Sequence, residues 1–332
     1  MHILQNSITD VNGIKVGHAQ NDSALTGCTV IICDKGATGG VDQRGGAPGT
    51  RETDLLRPIH LVNEIHAIIL SGGSAFGLDA ATGVMRFLEE KSIGYNTGVA
   101  RVPIVPSAVL FDLELGDSKI RPDAEMGYKA CQNATNIPPP QGNYGAGTGA
   151  SIGKIFGIKQ ATKAGIGMAS KEINGGIIIS AIVAVNAFGD VINPENGTIL
   201  AGARSAQKSF IRMGGIDYYA DTMKVMDSFS GRTILKLASW NNNVIGVVIT
   251  NAKLNKEEAN KVAQMAHNGI AISVKPAHTM LDGDTIFTMA TGEHKSNVNI
   301  VGAFAATVVS QAIVNSVKFA QPAGGLPSYN SK

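Results

Sequence analysis

Apolar residues fall along this chain in two rhythms. Short unbroken runs, Cys28–Cys33 (CTVIIC), His66–Leu70 (HAIIL), Ile177–Asn186 (IIISAIVAVN), Val244–Thr250 and Thr285–Ala290, predict strands. The first two end in glycine or charge, and the third is a long β-branched run, as buried strands often are. Elsewhere the apolar positions recur every three or four residues. Ala75–Glu90 reads as a helix on that spacing, and Asn255–Ile272 adds an Asn cap and acids in its first turn. The longest apolar stretch, Val298–Ala320, sets Val301, Phe304, Val308, Val309 and Ile313 on one helical face. It also carries Asn299, Ser310, Gln311, Asn315, Ser316 and Lys318, which predicts a buried amphipathic helix and not a membrane span. Strand and helix alternate after residue 243, so layers of sheet flanked by helices are expected. No internal repeat is visible. Asn133–Gly142, stiffened by prolines, reads as an exposed connection, and Arg204–Arg232 as a weakly patterned surface loop with one helix in it.

Composition narrows the function classes. The 332 residues are 44% hydrophobic and 16% charged, enough for the core of one large domain or two intimate ones. Lysine and arginine number 28 against 26 acids, and no basic run is interleaved with aromatics, which argues against a nucleic-acid or anionic-membrane partner. Forty glycines beside 5% aromatics suggest the tight turns of a layered α/β protein. Cys28, Cys33 and Cys131 form an odd set without metal-ligand spacing, so buried thiols in a reducing compartment are expected, with no metal or cofactor. The opening MHILQNSITD lacks the basic and apolar regions of a secretory signal; a cytoplasmic protein is the expectation.

Five segments carry candidate chemistry. LSGGSAFG, Leu70–Gly77, joins a strand to a helix, but Phe76 stands where a nucleophile elbow needs glycine, so a tight structural turn is the better reading. Asp42, Arg44, Arg51, Glu52 and Asp54 crowd the loop Gly39–Pro58, as in a charge-stapled turn or a substrate-contacting one. GNYGAGTGAS, Gly142–Ser151, could turn the amides of Gly145 and Gly147 toward an oxyanion, or simply be a loop of small residues. HTMLDGDTIF holds Asp282 and Asp284 at the start of a strand, either as a carboxylate pair or as a DG turn. Three asparagines, Asn241–Asn243, stand before an apolar strand beside Trp240.

In order along nearly the whole chain, VDQRGGAPGTRETDLLRP, HAIILSGGSAFGLDAATGVMRFLEE, VPIVPSAVLFDL, RPDAEMGYKAC, GAGTGASIGK, AVNAFGDVI, IGVVITNAKLNKEEANKVAQMAHNGIA and HTMLDGDTIFTMATG resemble one family. It is the self-cleaving amidohydrolase family of the L-aminopeptidase/D-esterase, the β-aminopeptidases and the nylon-oligomer endohydrolase. The resemblance implies a single four-layer αββα sandwich over 1–332, similar to the N-terminal-nucleophile hydrolases but differently connected. It also implies a precursor that cuts itself between an Asn and a Ser or Thr, whose freed α-amine then serves as base. Here that point falls between Asn242 and Asn243, with an α part of 1–242 and a β part of 243–332.

Asn243 stands where the family has its hydroxyl, and an amide has no O–H to begin the acyl shift. Two explanations remain: a member that has lost its nucleophile, or a substituted form that holds the precursor intact. By resemblance Asp282 and Asp284 match the carboxylate pair of the nylon-hydrolase branch, Lys163 and Asn193 its site-lining Lys and Asn, and Asn186 a second oxyanion candidate. Tyr144 falls where a substrate-facing hydroxyl could sit; Lys163 could equally be a solvated surface lysine. The expected substrate is a small peptide, β-peptide or amide oligomer, and the expected assembly a homo-oligomer, a tetramer. A catalytically silent binding protein is the alternative, and an acyltransferase fits the motifs poorly.

Overall fold

The computed structural model describes residues 4–205, 218–228, 231 and 242–331. Ser239, Trp240, Asn241 and much of the weakly patterned segment 204–232 lie outside them. The strands that matter for the site are β1 (Ile14–Asn21), β2 (Thr26–Gln43), β3 (Glu64–Ser71), β4 (Ser107–Val109), β5 (Ile166–Ile173), β6 (Ile177–Asn186), β7 (Asp190–Ile192), β8 (Asn243–Lys253) and β9 (Thr285–Lys295). The helices are α1 (Ala80–Glu90), α2 (Ala124–Gln132), α3 (Thr222–Asp227), α4 (Lys256–Ser273) and α5 (Val298–Lys318).

Strand β2 is longer than its apolar run because it serves two sheets. Cys28 to Ile32 pair with β3, Thr38 to Gln43 pair with β9, and the register breaks between Ile32 and Ala37. One layer runs β1, β2, β3, β4; the other runs β2, β9, β8, β6, β5. Only β8 with β9 and β3 with β4 are parallel among these pairs.

Alternation then sorts the side chains. Ile245, Val247 and Ile249 of β8 join Ile182 and Ala184 of β6 and Ile68 and Leu70 of β3 in a core between the sheets. Val244 and Val248 point the other way, with Val183 and Val185, onto α4 and α5. Beyond the first sheet, Val30 and Ile69 pack against Val84 and Leu88 of α1 and Cys131 of α2. These three cores make the αββα sandwich expected from the resemblance. Helix α4 begins at the anticipated cap, where the Asn255 side chain accepts the Glu258 N–H at 2.8 Å and Glu258 reaches back to the Asn255 N–H. Helix α5 is long and apolar enough to cross a membrane, but Val301, Ala305, Val308 and Ile313 bury it against α4 and the second sheet. All three cysteines are buried thiols.

Candidate active site

Asn186 ends β6, Asn243 begins β8, and the two are paired across the ladder. Both continue the side of their strands that faces between the sheets, so two buried amides meet at one end of that core. The backbone of Phe111 joins them. Its carbonyl accepts Asn186 Nδ2 at 2.7 Å, and its N–H donates to Asn243 Oδ1 at 3.2 Å.

The Asn186 amide is fixed from its other end as well. Its Oδ1 accepts the Ser151 N–H at 3.1 Å and Lys154 Nζ at 2.7 Å. Lys154 is buried, and burial lowers its pKa to about 8, against the opposing pull of Glu114, Asp282 and Asp112.

The DGD segment approaches from the next strand. Asn242 and Asp282 form a parallel bridge, in which the Asn242 carbonyl accepts the Gly283 N–H at 2.7 Å and the Asn242 N–H donates to the Leu281 carbonyl. Asp284 Oδ1 accepts the Val244 N–H at 2.8 Å. Asp282 accepts both the N–H and the hydroxyl of Thr279 through Oδ2, at 3.0 and 2.5 Å. Burial, and then the neighbouring Asp284 charge, raise the Asp282 pKa to about 6. Gly283 has no room for a side chain: a Cβ there would lie 2.2 Å from Asn243 Nδ2 and 2.3 Å from the Ala47 carbonyl.

The glycine-rich loop after β2 clamps this segment through its backbone. Arg44 N–H donates to the Asp284 carbonyl at 3.0 Å and Ala47 N–H to the Asp282 carbonyl at 2.8 Å. Of its charges, Asp42 pairs with Arg44, and Arg51 turns away to Thr82. A pocket of about 110 Å³ opens over Asn243, bounded by Ala47, Pro48, Ser74, Val109 and Phe111. Ser74 is there because Gly73 and Ser74 both take left-handed backbone, at φ +80° and +55°, in the turn leaving β3. The turn is structural, and it also delivers a hydroxyl to the pocket wall.

Several expected site residues stand elsewhere. Lys163 is neither at the amides nor on the surface: its Nζ is wrapped by the carbonyls of Gly147, Ala150 and Ala164 at 3.1, 2.9 and 2.5 Å, and burial lowers its pKa to about 7. Asn193 is taken up in a turn, its Oδ1 accepting the Glu195 N–H at 3.0 Å. The amides of Gly145 and Gly147 are not free for an oxyanion, since they donate to Gln20 Oε1 and to the Tyr144 carbonyl. Tyr144 lines a different and larger groove, about 810 Å³, beside His18, Met126 and Ile137. Lys154 was not singled out in the sequence, although it closes the GAGTGASIGK motif.

The comparisons with known proteins agree with this architecture. The sequence profile of Peptidase family S58 matches residues 6–329. An uncharacterized aminopeptidase of Mycobacterium tuberculosis is 39% identical over 350 residues, spanning 98% of this chain and 97% of that protein. A 6-aminohexanoate-oligomer endohydrolase of Agromyces sp. is 32% identical over 322 residues, spanning 93% of this chain and 85% of its own. Among solved structures, the L-aminopeptidase D-Ala-esterase/amidase from Ochrobactrum anthropi superposes with a TM-score of 0.71 at 19% identity, over 97% of this chain and 88% of that one. A Burkholderia sp. β-aminopeptidase gives 0.68 at 20%, over 99% and 92%. These two share the fold. With a family profile over almost its full length and relatives this similar end to end, the chain belongs to peptidase family S58.

Proposed function

We propose that this chain is an amide-bond hydrolase of small peptides, β-peptides or amide oligomers, held as an uncleaved precursor because residue 243 carries an amide in place of a hydroxyl. The observation that carries the reading is the setting of Asn243. Its side chain meets the Phe111 N–H, Asn186 and Lys154 stand behind, and Asp284 holds the following peptide N–H. The carbonyl before it is already polarised by the Gly283 N–H.

With a threonine at 243, its Oγ would attack the Asn242 carbonyl carbon, and the C–N bond would break in favour of an ester. Water would then hydrolyse that ester, leaving a carboxylate at Asn242 and a free α-amine at residue 243. The amine could then accept the proton of its own hydroxyl when a substrate amide is attacked. None of this can start from Asn243. The pocket of about 110 Å³ over residue 243 suits a small acyl group. The test is hydrolysis of aminoacyl amides and 6-aminohexanoate oligomers by an Asn243→Thr protein. Turnover supports the reading; a folded, inert protein favours a silent binding protein on the same scaffold.

The proposal extends to a homo-oligomer, a tetramer, in the cytoplasm. Ile59, Leu61 and Val99 stand 87, 79 and 96% exposed, apolar surface that a second copy would cover, and the free thiols suit a reducing compartment. A monomeric mass in light scattering would contradict the assembly.

A further inference from the structure

The loop before β9 holds an ionisable group that the reaction outlined above does not use. His278 sits at φ +57°, a backbone region that disfavours any residue with a Cβ. That conformation lets one residue grip Asp284 twice: Oδ2 accepts the His278 N–H at 3.0 Å and its Nδ1–H at 2.7 Å. Asp284 Oδ1 meanwhile accepts the Val244 N–H. The His278 N–H, its Nδ1–H and the Val244 N–H all donate to that carboxylate.

The surroundings leave His278 in charge of this carboxylate. Its ring stands 4.9 Å from that of His267 on α4, edge to face. His267 Nε2 is bound to the Asp42 carbonyl at 2.9 Å, so it must hold the proton there. Burial lowers the His267 pKa to about 4, and its Nδ1 has no donor among the described residues. It is therefore a neutral wall. Asp42 of β2 is occupied by Arg44, and Lys154 Nζ is bound to the Asn186 amide. The His278 side chain keeps 22% of its surface.

We infer that His278 is a positioning residue: it holds Asp284 as the charged carboxylate aimed at the residue 243–244 backbone and thereby assigns the proton of the aspartate pair to Asp282. The inference rests on the proposed function only for its consequence in turnover. The proton's location is a property of the chain as it stands.

The test is carbon-13 NMR of the intact chain labelled at aspartate Cγ, with the two resonances assigned by Asp282→Asn and Asp284→Asn. Between pH 5 and 7 the proton entering the pair should appear on Asp282. In His278→Ala it should move to Asp284, with an apparent midpoint about one pH unit or more higher. His278→Asn, which keeps an N–H donor near the Nδ1 position, should restore the original distribution. A proton found on Asp284 in the unsubstituted chain overturns the inference, and so does an unchanged distribution in folded His278→Ala. Should His278→Ala not fold, the unsubstituted spectrum still decides. An inert Asn243→Thr protein would remove the hydrolase reading and leave this result untouched.

Discussion

Asn186 and Asn243 are joined through the backbone of a single residue, Phe111, whose carbonyl accepts from one amide at 2.7 Å and whose N–H donates to the other at 3.2 Å. The link makes the side chain at 243 part of a fixed polar row that begins at Lys154. A change at 243 is therefore felt along that row, and an intact row is ready to receive a hydroxyl.

The two buried lysines should separate cleanly in an Asn243→Thr background. Lys154 touches the Asn186 amide, so Lys154→Met should lower kcat/KM by about 100-fold or more. Lys163 binds three carbonyls, and Lys163→Met leaves them without that donor. It should cost on the order of 3 kcal/mol of stability. Its kcat/KM should stay within about threefold of the parent at temperatures where it remains folded. Rates against a small amide, beside thermal unfolding, check both; the opposite pattern would restore the role that sequence resemblance gave Lys163.

Gly283→Ala should damage site and fold together. The added methyl would lie 2.3 Å from the Ala47 carbonyl, whatever occupies position 243, and backbone must move to admit it. Overpacking of this kind costs about 1–3 kcal/mol, and chemical denaturation would register it. A variant as stable as the parent would mean that the loop after β2 is looser than its backbone hydrogen bonds imply.

Asp190 should give stability an unusual pH dependence. Its oxygens accept the Ala203 and Thr222 N–H groups, tying α3 to β7, and burial raises its pKa to about 7 from an ordinary 3.8. The folded chain thus keeps this proton up to about pH 7, whereas the unfolded chain releases it near 4. Its contribution is fully present below pH 4 and is lost as pH rises through 7. The stability of the parent minus that of Asp190→Asn should fall by on the order of 3 kcal/mol between pH 4 and 8. Parallel curves in urea titrations at several pH values would refute it.

Much of this was legible in the sequence, for identifiable reasons. Helix α4 announced itself because Asn255 and Glu258 form a local cap, and β8 because its β-branched run is buried on both faces. Asp282 and Asp284 were found because they lie within the contiguous HTMLDGDTIF motif, and Asn243 because it ends an asparagine run just before IGVVITNA. Lys154 closes the GAGTGASIGK motif but was not singled out, since its partner Asn186 is 32 residues away and only the fold brings them together. Gly145 and Gly147 misled for a related reason. A run of small residues shows that amides can turn, but not that Gln20 and the Tyr144 carbonyl already hold them. The long reach of β2 was hidden because the residues that carry it from one sheet to the other, Asp34 to Thr38, are polar or small.

The most direct measurement is the intact mass of the unsubstituted chain and of Asn243→Thr after the same long incubation. The hydroxyl-less chain should keep its full 34.4 kDa, while Asn243→Thr should divide into 1–242 and 243–332. Fragments ending at Asn242 from the unsubstituted chain, or a folded Asn243→Thr protein that never divides, would contradict the account.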